Sequence, residues 1–384
     1  MRLPAEDGGY YHWSPSGAEV LVPAPGGFTS RVAFAAAHVV ADPRGDDPSA
    51  VDWRATLSYR RHLWSLGFGV AEAMDTAQRG AGVGWDIARE LIMRTANAAE
   101  GPVVYGANTD QLEPGARLSL DEIISAYLEQ VEYIEFQGGT AILMASRHLA
   151  SVASGPDDYA LVYDEVIEAA SHQVMIHWLG PMFDPALTGY WGGADAEVAA
   201  NTVLEIVRRH PDRVSGVKLS MLDADLEIAL RRRLPERVRM FTGDDLNFVD
   251  LILGDEMGHS DALLGVFDAI APTAAVAFQA LDAGDASGFR ETLSRTLPLA
   301  HHLFQAPTSA YKTGVVFLAY LNGFQDHFRM IQGAESARSL PHLARVLVLA
   351  EQAGLIPDVE LAQERMSRAL ELGERVGTGN PTGS

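Results

Sequence analysis

The chain has 384 residues, 47% of them hydrophobic, a formal net charge of −22 and no cysteine. So acidic a protein lacks the basic footprint that displaces counterions from nucleic acid or binds an anionic membrane surface, although a pocket inside it can still be locally positive. Without cysteine there are no disulfides, thiolate nucleophiles or Cys-ligated zinc sites.

The opening MRLPAEDGGYYHW has no basic stretch leading into an apolar one. No run of about 18 uncharged apolar residues occurs anywhere, so neither a signal peptide nor a membrane span is expected and the cytoplasm is the expected location. Residues 1–30, rich in Gly and Pro, predict an extended N-terminal arm. Short apolar runs then alternate with amphipathic helical stretches, the pattern of repeated βα units. The first run is 31–40, followed by a helix over about 50–66 with Ser49 as its cap. The runs 67–74 and 101–107 precede helices near 83–99 and 118–133, the latter opening on a capping box at Ser119. Runs 139–145 and 174–180 precede helices at 157–170 and 194–210. Three more follow, 214–220, 238–243 and the weakest, 258–267.

Eight strands alternating with helices predict an α/β fold, a closed (β/α)₈ TIM barrel over 31–285. Beyond it the pattern is purely helical, about four helices broken near Gly284, Pro307 and Gly333. These form a C-terminal helical region, 286–376, packed on the barrel, and 377–384 reads as a disordered tail.

Active sites of such barrels lie at the C-terminal ends of the strands. The polar residues expected there, in strand order, are His38; Asp75, Thr76, Gln78 and Arg79; Asn108 and Thr109; Ser146, Arg147 and His148; His177 and Trp178. Strands six to eight add Lys218, Ser220 and Asp223; Thr242, Asp244 and Asp245; His259, Ser260 and Asp261.

Among these Lys218 stands out, because only two of the 29 basic residues are lysines. Codon bias accounts for most of that scarcity, but a lysine in the apolar run VSGVKLS still needs its own reason. Strand alternation sends Gly216, Lys218 and Ser220 into the barrel. A buried, unpaired ammonium loses its proton more readily, and a neutral amine is the form that attacks a carbonyl to make a Schiff base. The bland alternative is a lysine paired with Asp244 or Asp245. The other lysine, Lys312 in SAYKTG, reads as an ordinary exposed residue of the helical region.

SGVKLS, with FTGDD about 25 residues later, resembles the dihydrodipicolinate synthase and N-acetylneuraminate lyase family of class I aldolases. LILGDEMGHSDALLGVFDAIAP (251–272) is similar to that family's Gly-rich eighth strand, and HVVADP (38–43) to its first. The resemblance spans about 31–330 and is specific over 214–285. It implies a lyase in which Lys218 forms a Schiff base with a 2-oxo acid or related small carbonyl compound, expected to be anionic, without a cofactor. It also implies a homo-oligomer, a dimer or tetramer.

The departures bear on the substrate. The family's second strand ends in G-T-T-G-E, which holds the substrate carboxylate. DTAQRG (75–80) keeps Thr76 but has Ala77 in place of the second Thr, with Arg79 as the expected replacement carboxylate ligand. The family's fourth strand presents a proton-relaying Tyr. MASRHLA (144–150) has none, which makes His148 the expected acid–base residue and Arg147 a substrate ligand. At strand five IHWLGP stands for Y-N-x-P, bringing in His177. Asn108, Asp244 and His259 complete the expected substrate-binding set. These departures make a standard dihydrodipicolinate synthase unlikely, as expected for a longer, uncharacterised bacterial branch.

Two other classes fit the composition. A metal-dependent barrel lyase or epimerase would draw ligands from His38, Asp75, His148, His177, Asp244 and His259, although no compact H-x-H or H-E-x-x-H motif occurs. A non-catalytic sugar-acid binding protein would use the same scaffold without turnover. The His301–His302 pair reads as surface or interface.

Overall fold

The computed structural model describes residues 1–377 except Gly45 and Ala194. Eight parallel strands close into a barrel in chain order: β1 (Ala33–Ala35), β2 (Gly69–Glu72), β3 (Val103–Ala107), β4 (Thr140–Leu143), β5 (Val174–Leu179), β6 (Val214–Ser220), β7 (Arg239–Thr242) and β8 (Asp261–Leu264), with β8 pairing back onto β1. This is the (β/α)₈ architecture expected from the alternation.

The period-2 pattern explains the interior. Phe34, Ala71, Val104, Ile142, Met175, Phe241 and Leu263 form an apolar plug inside the barrel. The inward positions above that plug toward the C-terminal ends include the buried Lys218 and Ser220 of β6. In register, Lys218 of β6 lies beside His177 of β5 and Phe241 of β7.

The helix Leu120–Phe136 starts on the expected capping box, with Ser119 and Glu122 reciprocally bonded. The helix Trp53–Ser65 is capped by Asp52, which accepts from Ala55 N–H, and not by Ser49. Ser49 sits a turn earlier and donates to Asp47, since the chain straightens before the helix begins. From that helix the fully buried Arg60 grips Glu72 of β2 bidentately, at 2.9 Å for both bonds, and reaches the carbonyl oxygens of Ala37 and His38. The segment leaving β1 is thereby fixed.

The N-terminal arm includes a two-stranded ribbon, Arg2–Pro4 with Tyr10–His12. After the helix Phe267–Asp282 the described residues form five more α-helices where about four were expected: Ala286–Ser294, Leu297–Leu303, Tyr311–Leu321, Leu340–Gln352 and Val359–Gly377. Breaks fall near Gly284, Pro307 and Gly333, as expected. The expected tail, 377–384, lies outside the described residues apart from Gly377. Among the described residues no helix is long and apolar enough to cross a membrane.

The helix Tyr311–Leu321 has every residue buried. A helix apolar all round must be enclosed by protein, and this one crosses the barrel mouth. The expectation that Lys312 is exposed is therefore wrong: it is 1% exposed.

On the outer face of the barrel, Glu227 is buried and accepts from Ser260 Oγ at 2.7 Å, while its second oxygen has no partner. Burial pushes its carboxyl up from 4.5 to about 7. Below pH 4.5 both folded and unfolded chains hold this proton. As pH rises to 7 the unfolded chain releases it first, so stability falls across that window. Glu227→Gln should accordingly stabilise the fold at pH 8 by about 2–3 kcal/mol, with the gain vanishing near pH 4.5, as read from urea midpoints.

Candidate active site

Lys218 projects from the C-terminal half of β6 into a chamber of about 10 Å³ lined by Ala36, Met74, Asp75, Thr76, Leu179, Phe183, Ser220, Asp245, Gly265 and Tyr311. Two glycines shape it. A Cβ at Gly243 would lie 2.9 Å from Lys218 Cε and 2.8 Å from the Leu219 carbonyl oxygen, so the residue after β7 has to be glycine for the lysine to fit. A Cβ at Gly265 would lie 2.8 Å from the Tyr311 ring.

The lysine amine has no ion pair within 4 Å among the described residues. Burial lowers its pKa against the pull of Asp245 and Asp75, and Lys312 adds to the lowering. Burial likewise raises the carboxyl of Asp245, which accepts from Val266 N–H at 2.7 Å. Both shifts favour the uncharged forms.

The second lysine occupies the neighbouring position. Lys312 Nζ pairs with Asp75 and, at 2.8 Å, with Asp268, and it donates to the Ala36 carbonyl at 2.8 Å. Burial opposes its charge, but Asp268 and Asp75 outweigh burial and hold it protonated. Asp268 also binds His38 Nδ1 at 3.0 Å. Its carboxyl is driven below the usual range by His38 and Lys312 despite burial. Tyr311 Oη donates to Asp75 Oδ1 at 3.0 Å. The phenol is stacked on Phe304 at 4.3 Å and flanked edge-on by Phe183. Burial, Asp75 and Asp245 raise it well above the ordinary tyrosine value.

Next to this chamber, sharing Thr76, Leu179 and Phe183, lies a cleft of about 300 Å³. It holds five other expected residues: Arg79, Asn108, Arg147, His148 and His177. His177 is fully buried, with Nε2 3.1 Å from Ser220 Oγ and Nδ1 unpartnered. Burial, then Lys218, hold it well below its usual pKa, so it is neutral. His148 bonds Thr109 Oγ1 at 2.9 Å through Nδ1 and the Glu113 carbonyl at 3.3 Å through Nε2. It lines the cleft wall and not the lysine chamber. Arg147 uses only Nε, on Asp184 at 2.6 Å, and its guanidinium is otherwise uncommitted.

Three expectations need correction. Arg79 cannot serve as a carboxylate ligand as it stands, because all five of its N–H donors are taken by Asp110, Gln130 and the carbonyls of Ala73 and Gly106. Asp244 staples its own loop, accepting from Leu246 and Asn247, and leaves the chamber to Asp245. His259 lies at the opposite end of the barrel. Gly254 and Gly258 hold a turn at φ +81° and +138°, pairing begins only at Asp261, and His259 therefore precedes the strand. Ser260 and Asp261, next in the chain, likewise lie before or at the start of that strand. Nor are the side chains named as metal ligands gathered together: among the described residues no group of three or more His, Asp or Glu is arranged to hold a metal ion.

The model of a family described as "Protein of unknown function (DUF993)" matches residues 1–374. The chain belongs to this family. No curated protein matches it. Among solved structures, it is similar to dihydrodipicolinate synthase from Thermotoga maritima (17% identity, 85% of this chain and 100% of that one, TM-score 0.64). It is also similar to the synthase from Aquifex aeolicus (12%, 85% and 99%, TM-score 0.66). A third is YagE, a prophage protein of the dihydrodipicolinic acid synthase family from E. coli K12 in complex with pyruvate (13%, 85% and 99%, TM-score 0.67). At such identities the likeness establishes a shared fold, the one expected from VSGVKLS and FTGDD, and each of those chains is matched almost whole while part of this longer one is left over.

The sequence reading missed Tyr311, Lys312 and Asp268. Lys312→Met should cost about 3–5 kcal/mol, because it leaves Asp75 and Asp268 buried without their cation. A denaturant midpoint unchanged from wild type would contradict this.

Proposed function

We propose that the protein is a lyase of the class I aldolase type, forming a Schiff base between Lys218 and a 2-oxo acid or related small carbonyl compound. One observation carries the proposal. Of two buried lysines near one another, Lys312 is paired with Asp75 and Asp268 while Lys218 is left unpaired, with burial favouring its neutral amine.

In this mechanism the Lys218 amine attacks the carbonyl carbon, and the resulting carbinolamine loses its hydroxyl as water on taking a proton from Asp245. The iminium then accepts the electron pair released when the neighbouring carbon loses a proton or breaks a C–C bond. The enamine so formed can add to an aldehyde in the reverse sense. Tyr311, hydrogen-bonded to Asp75, relays that proton in the role expected of His148: its oxygen takes the proton leaving the carbon as its own passes to Asp75, and the reverse step returns both. Arg147 is the cleft cation available for an anionic end of the substrate. Assembly as a dimer or tetramer and a cytoplasmic location belong to the same proposal and rest on the sequence resemblance.

The decisive experiment is borohydride reduction in the presence of small carbonyl compounds, read by intact and peptide mass. A stable adduct is expected on Lys218 and on no other lysine, and Lys218→Met should abolish both adduct and turnover. An adduct absent with every 2-oxo acid, ketose and aldehyde tried would end the proposal. The neutral amine is the reactive form, so the adduct rate should rise with pH and level off well below the ordinary lysine value of about 10.4. A midpoint at or above 10 would contradict the buried, unpaired state of Lys218. Tyr311→Phe should slow turnover by about 10²–10⁴-fold with adduct formation retained, whereas His148→Ala should leave adduct formation near normal.

A further inference from the structure

We infer that the compound joined to Lys218 carries no carboxylate beside its carbonyl, and that it is a hydroxy ketone or hydroxy aldehyde. This rests on the Schiff-base proposal and narrows it.

A carboxylate next to the reacting carbonyl would have to be held within a few ångströms of Lys218, inside the small chamber. It would need a cation or several converging donors there, and the cation and the donors around Asp75 and Asp245 are already committed. Ala77 N–H and Tyr311 Oη both donate to Asp75 Oδ1, at 2.9 and 3.0 Å. Lys312 is held by Asp75, Asp268 and the Ala36 carbonyl. Val266 N–H is held by Asp245. Arg79, behind the same loop, is saturated. The Asp75 carboxylate thus already sits where the anionic head of a 2-oxo acid would have to bind. The nearest fixed cation, Lys312, is already paired with Asp75 and Asp268, so a further negative charge would enter with no free cation to meet it. Desolvating an unpaired carboxylate in this way costs several kcal/mol.

The groups that remain suit hydroxyls. Thr76 and Ser220 line the chamber, each with a hydroxyl able to donate or accept. His177, neutral and with Nδ1 unpartnered, lines the adjoining cleft. The resident carboxylates are acceptors to which a hydroxyl, unlike a second carboxylate, can donate.

The test compares pyruvate, hydroxyacetone and dihydroxyacetone at equal concentration with the full-length protein and sodium cyanoborohydride. The amine and carbonyl condense with loss of water, and the reagent's hydride reduces the iminium to a stable secondary amine. Each adduct yield at Lys218 is divided by the yield on Nα-acetyl-lysine, which removes differences in free carbonyl content. The hydroxy ketones should label Lys218 more than pyruvate by about tenfold or more, the penalty expected of an unpaired charge. Equal or greater labelling by pyruvate would overturn the inference and leave the Schiff-base proposal standing. No labelling by any of the three, nor by other carbonyl compounds, would remove both. Asp75→Asn, close in shape, should shift the ratio toward pyruvate; an unchanged ratio in a variant that melts cooperatively would overturn the role given to Asp75.

Discussion

The ammonium of Lys312 between Asp75 and Asp268 is the interaction on which the mouth of this barrel depends. It ties the helix Tyr311–Leu321 to the ends of β1 and β2 and to the start of the helix after β8. A buried charge is tolerable only when paired and hydrogen-bonded, and here one cation serves two anions while His38 and Tyr311 satisfy further oxygens of the same carboxylates. The C-terminal helices are therefore part of the site. Without them β1, β2 and β8 would present two unpaired carboxylates to solvent-filled space.

That arrangement divides the work between two chemically identical side chains. Lys312 is held charged by its neighbours and cannot act as a nucleophile. Lys218, a short distance away, is left to burial, which favours the neutral amine. Lys312 also conditions Lys218. The fixed charge of Lys312 adds to the lowering at Lys218 and engages the acidic groups that would otherwise neutralise it.

Much of the architecture was legible in the sequence because it follows from short-range regularities. Period-2 alternation in VSGVKLS sets Lys218 inward, and each of the eight strands falls within an apolar run, although several are shorter than the run. Ser119 and Glu122 announce a helix start by their spacing alone. What escaped depends on contacts between residues far apart in the chain. Tyr311 meets Asp75 across 236 positions, which no local pattern encodes. Arg79 was legible as a polar residue near the mouth, but whether its donors are free is decided by Asp110, Gln130 and two carbonyls brought in by folding. His259 was misplaced because Gly254 and Gly258 shorten the eighth strand at the end where the apolar run looked continuous. A signal for Lys312 did exist. The stretch AYKTGVVFLAYL is apolar on every face, and a lysine within it had nowhere exposed to point.

The scarcity of lysine has a practical side once both are placed. One side-chain amine is locked in ion pairs, and the other faces the chamber. The outer surface is left with arginine as its only permanently cationic side chain, so reagents selective for primary side-chain amines find no competing target there. For such an electrophile, small enough to pass the cleft, the protein offers one reactive side-chain amine, at the bottom of its pocket, besides the α-amine of Met1, which donates to the Trp13 carbonyl.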